Sequence, residues 1–130
     1  MQHAHNGNDE MRLEHFNISG SIELLEAVRT FYIEVLGLTD GPRPAVPTRG
    51  YWLYSGNDAV VHLNESSDRQ APPRANYLDH IAFACDDVAT VERRLQAHHT
   101  EYSINRYPAV NLTQIFLHDP AGTGIELNFR

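Results

Sequence analysis

Four side chains in this 130-residue sequence have the types and spacing to hold a metal ion: His15, His62, His80 and Glu126. Leu13-Glu14-His15 recurs as Leu78-Asp79-His80 after 65 residues, and His62-Leu63-Asn64 recurs as Glu126-Leu127-Asn128 after 64. Leu53 precedes His62 by nine residues, and Leu117 precedes Glu126 by nine. One histidine on a strand is usually an ordinary surface or core residue. Positions that recur in order across both halves of a chain mark a duplicated unit with its ligands placed symmetrically. Three imidazoles and a carboxylate suit Zn, Ni, Fe(II), Mn or Co, and the absence of thiolate excludes a Cys-rich soft site. Four such ligands on an octahedral ion leave two positions for adjacent oxygens of a small molecule, whose carbonyl or enolate the ion would polarise.

Strands must carry these residues, and the sequence supplies them twice. Residues 12–19 (RLEHFNIS) alternate and predict a strand. Ser21 is placed to cap a helix over 22–36, with Leu24, Val28, Phe31 and Val35 on one stripe and Gly37 as its stop. The Pro- and Gly-rich stretch 40–50 predicts a loop or a weak edge strand, and residues 51–55 and 58–64 predict strands around Gly56-Asn57. The order then repeats. A strand over 77–85 is followed by a helix capped by Asp86 or Asp87 and carrying Val88, Val91 and Leu95. Strands over 101–107, 113–118 and 124–129 come next, the last two joined by the turn DPAGTG.

The expected fold class is α+β: two β-α-β-β-β modules forming a cup-shaped mixed sheet with helices outside. The expected organisation is a flexible tail over 1–11 and one domain over 12–130, with module one at 12–65, a linker at 66–76 and module two at 77–130.

Strand parity separates a helix-facing side from a polar side. Phe16 and Ile18 oppose His15, and Val61 and Leu63 flank His62. Ile81, Phe83 and Cys85 oppose His80, and Ile125 and Leu127 flank Glu126. The four candidates therefore share the polar, inner side of the cup with Asn17, Asn64, Ala82 and Asn128. Strand positions also nominate Trp52, Tyr54, Arg106, Gln114 and Phe116 as substrate contacts. His98-His99 reads as a helix-end pair, His118 as a surface residue beside a turn, and His3 and His5 as part of the polar tail. Cys85 has helix-facing parity and reads as a buried thiol, not a nucleophile.

Composition narrows the partners. Apolar residues make up 42% and charged residues 21%, enough to build a core. A formal net charge of -7 argues against nucleic acid and anionic membrane surfaces. The single cysteine rules out an intrachain disulfide. The sequence shows neither a transmembrane-length apolar run nor a signal-peptide pattern, so the cytoplasm is the expected location. Phosphate-binding glycine spacings are also missing.

The segments LEHFNIS, FYIEVLGL, VVHLNE, LDHIAFAC and FLHDPAGTGIELNF resemble the vicinal oxygen chelate superfamily, the glyoxalase, bleomycin-resistance and dioxygenase group, over nearly the whole chain. The resemblance implies a cup around one divalent metal ligated by His15, His62, His80 and Glu126, and a homodimer, with sites in such dimers often built from both chains. It further implies that Glu126 or His62 moves a proton next to a carbonyl of a small-molecule substrate. Glyoxalase I usually has Glu at the position of His62, and an arginine that helps hold glutathione where this chain has Ser19. Glutathione is accordingly not the expected substrate. Extradiol dioxygenases and fosfomycin-resistance enzymes use the equivalents of His15, His80 and Glu126, which leaves His62 for an acid, base or contact role. Bleomycin-type binders usually lack the ligands. The expected function is a metal-dependent, glyoxalase-like lyase or isomerase. The alternatives are an Fe(II) extradiol-type dioxygenase and a small-molecule binder without turnover.

Overall fold

Apolar residues at every second position build two sheets of one design. The computed structural model describes residues 13–66 and 80–130. The expected tail and most of the expected linker lie outside the described residues, as do the first residues of the strand expected from 77. Module one runs β1 (Phe16–Gly20), α1 (Ile22–Thr30), β2 (Thr39–Gly41), β3 (Gly50–Ser55) and β4 (Asp58–Glu65). Module two runs β5 (His80–Cys85), α2 (Val88–Ala97), β6 (Ser103–Tyr107), β7 (Leu112–His118) and β8 (Gly124–Phe129). The sheets are four-stranded and mixed, with matching orders β1-β4-β3-β2 and β5-β8-β7-β6. In each, the first strand pairs parallel to the last and the rest pair antiparallel. Registers repeat as well: Asn17, His62 and Trp52 lie abreast in one sheet, and Ala82, Glu126 and Phe116 in the other.

Local chemistry sets the element ends. Ser21 accepts the Leu24 amide at 3.1 Å and starts α1. Asp87, of the two candidate caps, accepts the Thr90 amide at 3.2 Å and starts α2. The helix expected over 22–36 is α-helical only to Thr30, and a π-helical turn carries the chain through Phe31–Val35. Gly37, at φ +82°, supplies the left-handed residue that ends it. The ladder of β1 begins at Phe16, so His15 stands just ahead of the strand. His98 caps the end of α2, and His99 follows at φ +52°. His118 is exposed at the end of β7.

The two modules meet back to back. Leu25, Val28, Tyr32 and Val35 from the first helical segment, and Val91 and Leu95 from α2, enter one core. Leu53, Val61 and Leu63 of one sheet and Ile115, Leu117, Ile125, Leu127 and Phe129 of the other enter it too. The Phe16 and Phe83 rings meet across it with centroids 6.4 Å apart. One polar bond crosses it: buried Tyr32 donates its hydroxyl to Asp119 Oδ2 at 2.7 Å. Asp119, 4% exposed, also accepts the amides of Ala121 and Thr123 at 2.9 Å each, so one carboxylate closes the β7–β8 turn and ties it to the other module. Burial, and then the adjacent Asp119 charge, push the Tyr32 hydroxyl far above its ordinary pKa, so it stays protonated and donating.

Tyr32→Phe would leave Asp119 Oδ2 without its donor while keeping the ring. We expect a loss of about 1–3 kcal/mol, read as a lower urea midpoint at unchanged slope. An unchanged midpoint would show that the bond adds no net stability.

Candidate metal centre

Because both apolar faces are spent on the shared core, both polar faces look away from it. On β4, Val61 and Leu63 are fully buried while His62 and Asn64 are partly open. On β8, Ile125, Leu127 and Phe129 are buried while Glu126 and Asn128 are partly open. The four candidate ligands therefore fall into two pairs, one per sheet.

In module one, His15 and His62 stack with ring centroids 3.8 Å apart and 11° between planes. Trp52 covers the other face of His62 at 4.0 Å and 11°. His62 Nε2 lies 3.1 Å from the Ala59 carbonyl. A carbonyl only accepts, so Nε2 carries the proton and Nδ1 keeps the lone pair. His15 Nδ1 donates to Glu14 Oε1 at 2.8 Å by the same reasoning, leaving Nε2 with its lone pair. Burial first, then the neighbouring His15 and, to a smaller extent, Arg43, hold His62 below the ordinary histidine pKa. It is neutral at pH 7, as a ligand imidazole must be.

In module two, His80 Nε2 lies 3.1 Å from Glu126 Oε1. Two donors about 2.1 Å from one ion and at right angles to each other would be about 3.0 Å apart. This pair already has the spacing of neighbouring ligands, with a proton where an ion would lie. Glu126 Oε2 accepts Asn128 Nδ2 at 2.7 Å and Gln114 Nε2 at 3.3 Å, and Gln114 also donates to Asn128 Oδ1 at 3.0 Å. The amides fix the carboxylate's orientation and leave Oε1 facing His80. The donor set fits a divalent metal as two half-sites: one pair is spaced for an ion, and the other must fan its stacked rings apart to present both lone pairs. Among the described residues, no three His, Cys, Asp or Glu side chains converge in the single chain.

The other nominated residues divide by face. Trp52 adjoins His62, and Gln114 and Phe116 lie on the Glu126 side. Tyr54 donates its hydroxyl to the Pro42 carbonyl at 2.6 Å, beyond a register shift at Leu53/Tyr54. Arg106 is not on the polar face. It shares the parity of Ile104, which packs on the core, and its guanidinium pairs with Glu92 of α2 at 3.6 Å. That parity was available in the sequence. Cys85 is half-buried, and burial pushes its thiol pKa up, so it is no poised nucleophile. A cleft of about 150 Å³ between β1 and β5 is lined largely by Leu13, Phe16, Val60, Ile81 and Phe83, and His15 is the one candidate ligand that touches it.

Arg43 is a site residue that the strand pattern gave no reason to single out. It lies in the Pro-rich loop between β2 and β3 and donates to Asn64 Oδ1 at 2.8 Å on the His62 face. Its position among prolines, outside any periodic segment, leaves no signal in the pattern.

A profile of the Glyoxalase/Bleomycin resistance protein/Dioxygenase superfamily matches residues 21–127. Among curated proteins, Glyoxylase I 4 of Arabidopsis thaliana is 29% identical over 104 residues, covering 75% of this chain and 59% of that protein. The chain thus spans about three-fifths of the relative's length. Among solved structures, a glyoxalase family protein from Bacillus anthracis superposes with a TM-score of 0.71 at 22% identity, over 95% of this chain and 98% of that one. Lactoylglutathione lyase from Agrobacterium tumefaciens superposes at 0.65 and 22%, over 94% and 96%. A glyoxylase/bleomycin resistance protein/dioxygenase domain from Frankia superposes at 0.73 and 16%, over 93% of each chain. At these identities the structures establish the vicinal oxygen chelate fold. The profile match, running from the cap of α1 into β8, establishes the lineage: the chain belongs to the Glyoxalase/Bleomycin resistance protein/Dioxygenase superfamily.

Proposed function

We propose that this protein is a metal-dependent lyase or isomerase of the glyoxalase type, acting on a small molecule with two adjacent oxygens. One observation carries the reading: His15–His62 and His80–Glu126 are paired side chains at matching positions of two modules, each on a polar face. A divalent ion held by these four residues would supply Lewis acidity toward the two oxygens. The chain's own groups would move the proton. Glu126 is held on Oε2 by Gln114 and Asn128, so Oε1 would take the proton from a substrate carbon acid once the substrate displaces it from the ion. Neutral His62, with Trp52 fixing its plane, would carry the proton instead only where three ligands hold the ion and its Nδ1 lone pair is free.

We further propose that the protein is a homodimer with two-chain sites. Within one chain the two polar faces point apart. β1 and β5 are outer strands, and their outward edges have no ladder partner among the described residues. Setting β1 beside the partner's β5 would extend one polar face into the other. Each cup would then combine His15 and His62 with the partner's His80 and the partner's Glu126.

Trp52 is the only tryptophan, so its emission reports on the ring stack. Adding Zn or Ni should change that emission as His62 turns to present its lone pair. His62→Ala should lower metal affinity by more than about tenfold, measured by calorimetry. Unchanged affinity for Zn, Ni and Fe(II) would reduce the site to three ligands and favour the dioxygenase arrangement.

Mixing His62→Ala chains with Glu126→Ala chains tests the two-chain site directly. Mixed dimers should regain one tight metal per dimer, since each variant keeps the half-site the other lacks. No recovered metal in mixed dimers would place each site within one chain. Sedimentation as a monomer at micromolar concentration would also reject the dimer.

A further inference from the structure

Arg43 lies on the His62 face without a carboxylate partner among the described residues. Its guanidinium donates to the Thr48 carbonyl at 3.0 Å, to Thr48 Oγ1 at 3.4 Å and to Asn64 Oδ1 at 2.8 Å, all neutral acceptors. Arg29, Arg49 and Arg106 by contrast pair with Asp40, Glu65 and Glu92. Arg43 Nε is buried and has no acceptor among the described residues. An unmet buried donor on a cation is costly unless another group completes it.

The space that holds Arg43 is made by Gly50. A β-carbon there would lie 2.0 Å from the Leu63 carbonyl oxygen and 2.9 Å from Arg43 Nη2, so a side chain at this position would collide with the β4 backbone and crowd the guanidinium. Asn64, which Arg43 grips, is two residues beyond His62 on the same face of β4, a separation of about 7 Å. Asn17 and Ser19 continue this polar patch on β1: Asn64 donates to Asn17, and Asn17 donates to Ser19 Oγ at 2.9 Å. Gly41 pairs with Trp52 as Ser103 pairs with Phe116, so the position in module two that matches Arg43 is Asn105, and the cation has no counterpart there.

Resting on the glyoxalase-type reading above, we infer that Arg43 anchors a carboxylate at the far end of the substrate, whose vicinal oxygens lie at the His62 end of the cup. A carboxylate taking Nε–H and one Nη–H side by side would complete the fork. Residues 44–49 of its loop are exposed and leave it room to open Nε. In a chain of net charge -7, one unpaired cation beside the site selects and orients an anion that the rest of the surface repels. The substrate class is then a small acid with vicinal oxygens at one end and a carboxylate about 7 Å away.

The test uses 2-oxoglutarate and 2-oxovalerate, which differ only in carboxylate against methyl at the far end. Each is titrated by calorimetry into wild-type protein, Arg43→Met and Arg43→Lys, with and without Zn. The wild type should prefer 2-oxoglutarate by about tenfold. Arg43→Met should lose the preference at unchanged Zn affinity, and Arg43→Lys should keep part of it. The Arg43 Nε–H resonance should shift with 2-oxoglutarate and not with 2-oxovalerate. No preference in the wild type, or a preference surviving Arg43→Met, overturns the inference. Failure to bind Zn would sink the metal reading alone, because the zinc-free titrations and the Nε–H shift still judge Arg43.

Discussion

Everything about this chain's chemistry follows from where its two apolar sheet faces go. A strand alternates its side chains between faces, so burying one face commits the other. Here both buried faces and both helices share one core, crossed by the Tyr32–Asp119 bond. The residues left over lie on the faces turned from that core: His62 and Asn64 on one sheet, Glu126 and Asn128 on the other. Packing thereby separates the candidate donors into one pair per sheet. On the reading proposed above, coordination across a chain boundary would be a consequence of core formation before it was a matter of ligand chemistry.

The halves are not interchangeable. Module one offers flat rings in a stack, Trp52 on His62 on His15, with a cation in the adjoining loop. Module two offers a carboxylate held by two amides. On the proposed reading, one half would present neutral nitrogen and positive charge, and the other would hold and move a proton. A molecule lying between two such walls would meet a polarity gradient, which would fix its direction without needing a tight pocket.

The sequence revealed the duplication because the repeat is written in strand registers. Leu-x-His and His/Glu-Leu-Asn mark the rows on which Asn17 faces His62 and Ala82 faces Glu126. Parity puts the four candidate ligands on polar faces and puts Arg106 on the helix side with Ile104. Alternation identifies an apolar face but not its mate, so the back-to-back packing was hidden. Asp119 read as a turn residue because its local bonds to Ala121 and Thr123 account for that position, while Tyr32 lies 87 residues away. Arg43 was invisible for a different reason: loops have no period, and the space over Gly50 exists only once β3 and β4 are paired.

The π-helical turn at Phe31–Val35 bears on how duplicated halves drift apart. His15 to His62 is 47 residues and His80 to Glu126 is 46, so module one carries one residue more. Between β1 and β2 there are 18 residues, and between β5 and β6 there are 17. A π-helical turn holds about one residue more than an α-helical one. The helix holds an extra residue there, and β4 holds another: Leu53 pairs with Val61 but Tyr54 with Ala59, so Val60 bulges from the ladder while His62 keeps its row with Asn17 and Trp52. An insertion that β4 did not bulge out would turn His62 into the core and Val61 out of it. Extra residues in this chain are thus housed where a local bulge absorbs them, and the rows that carry His62 and Glu126 stay in register.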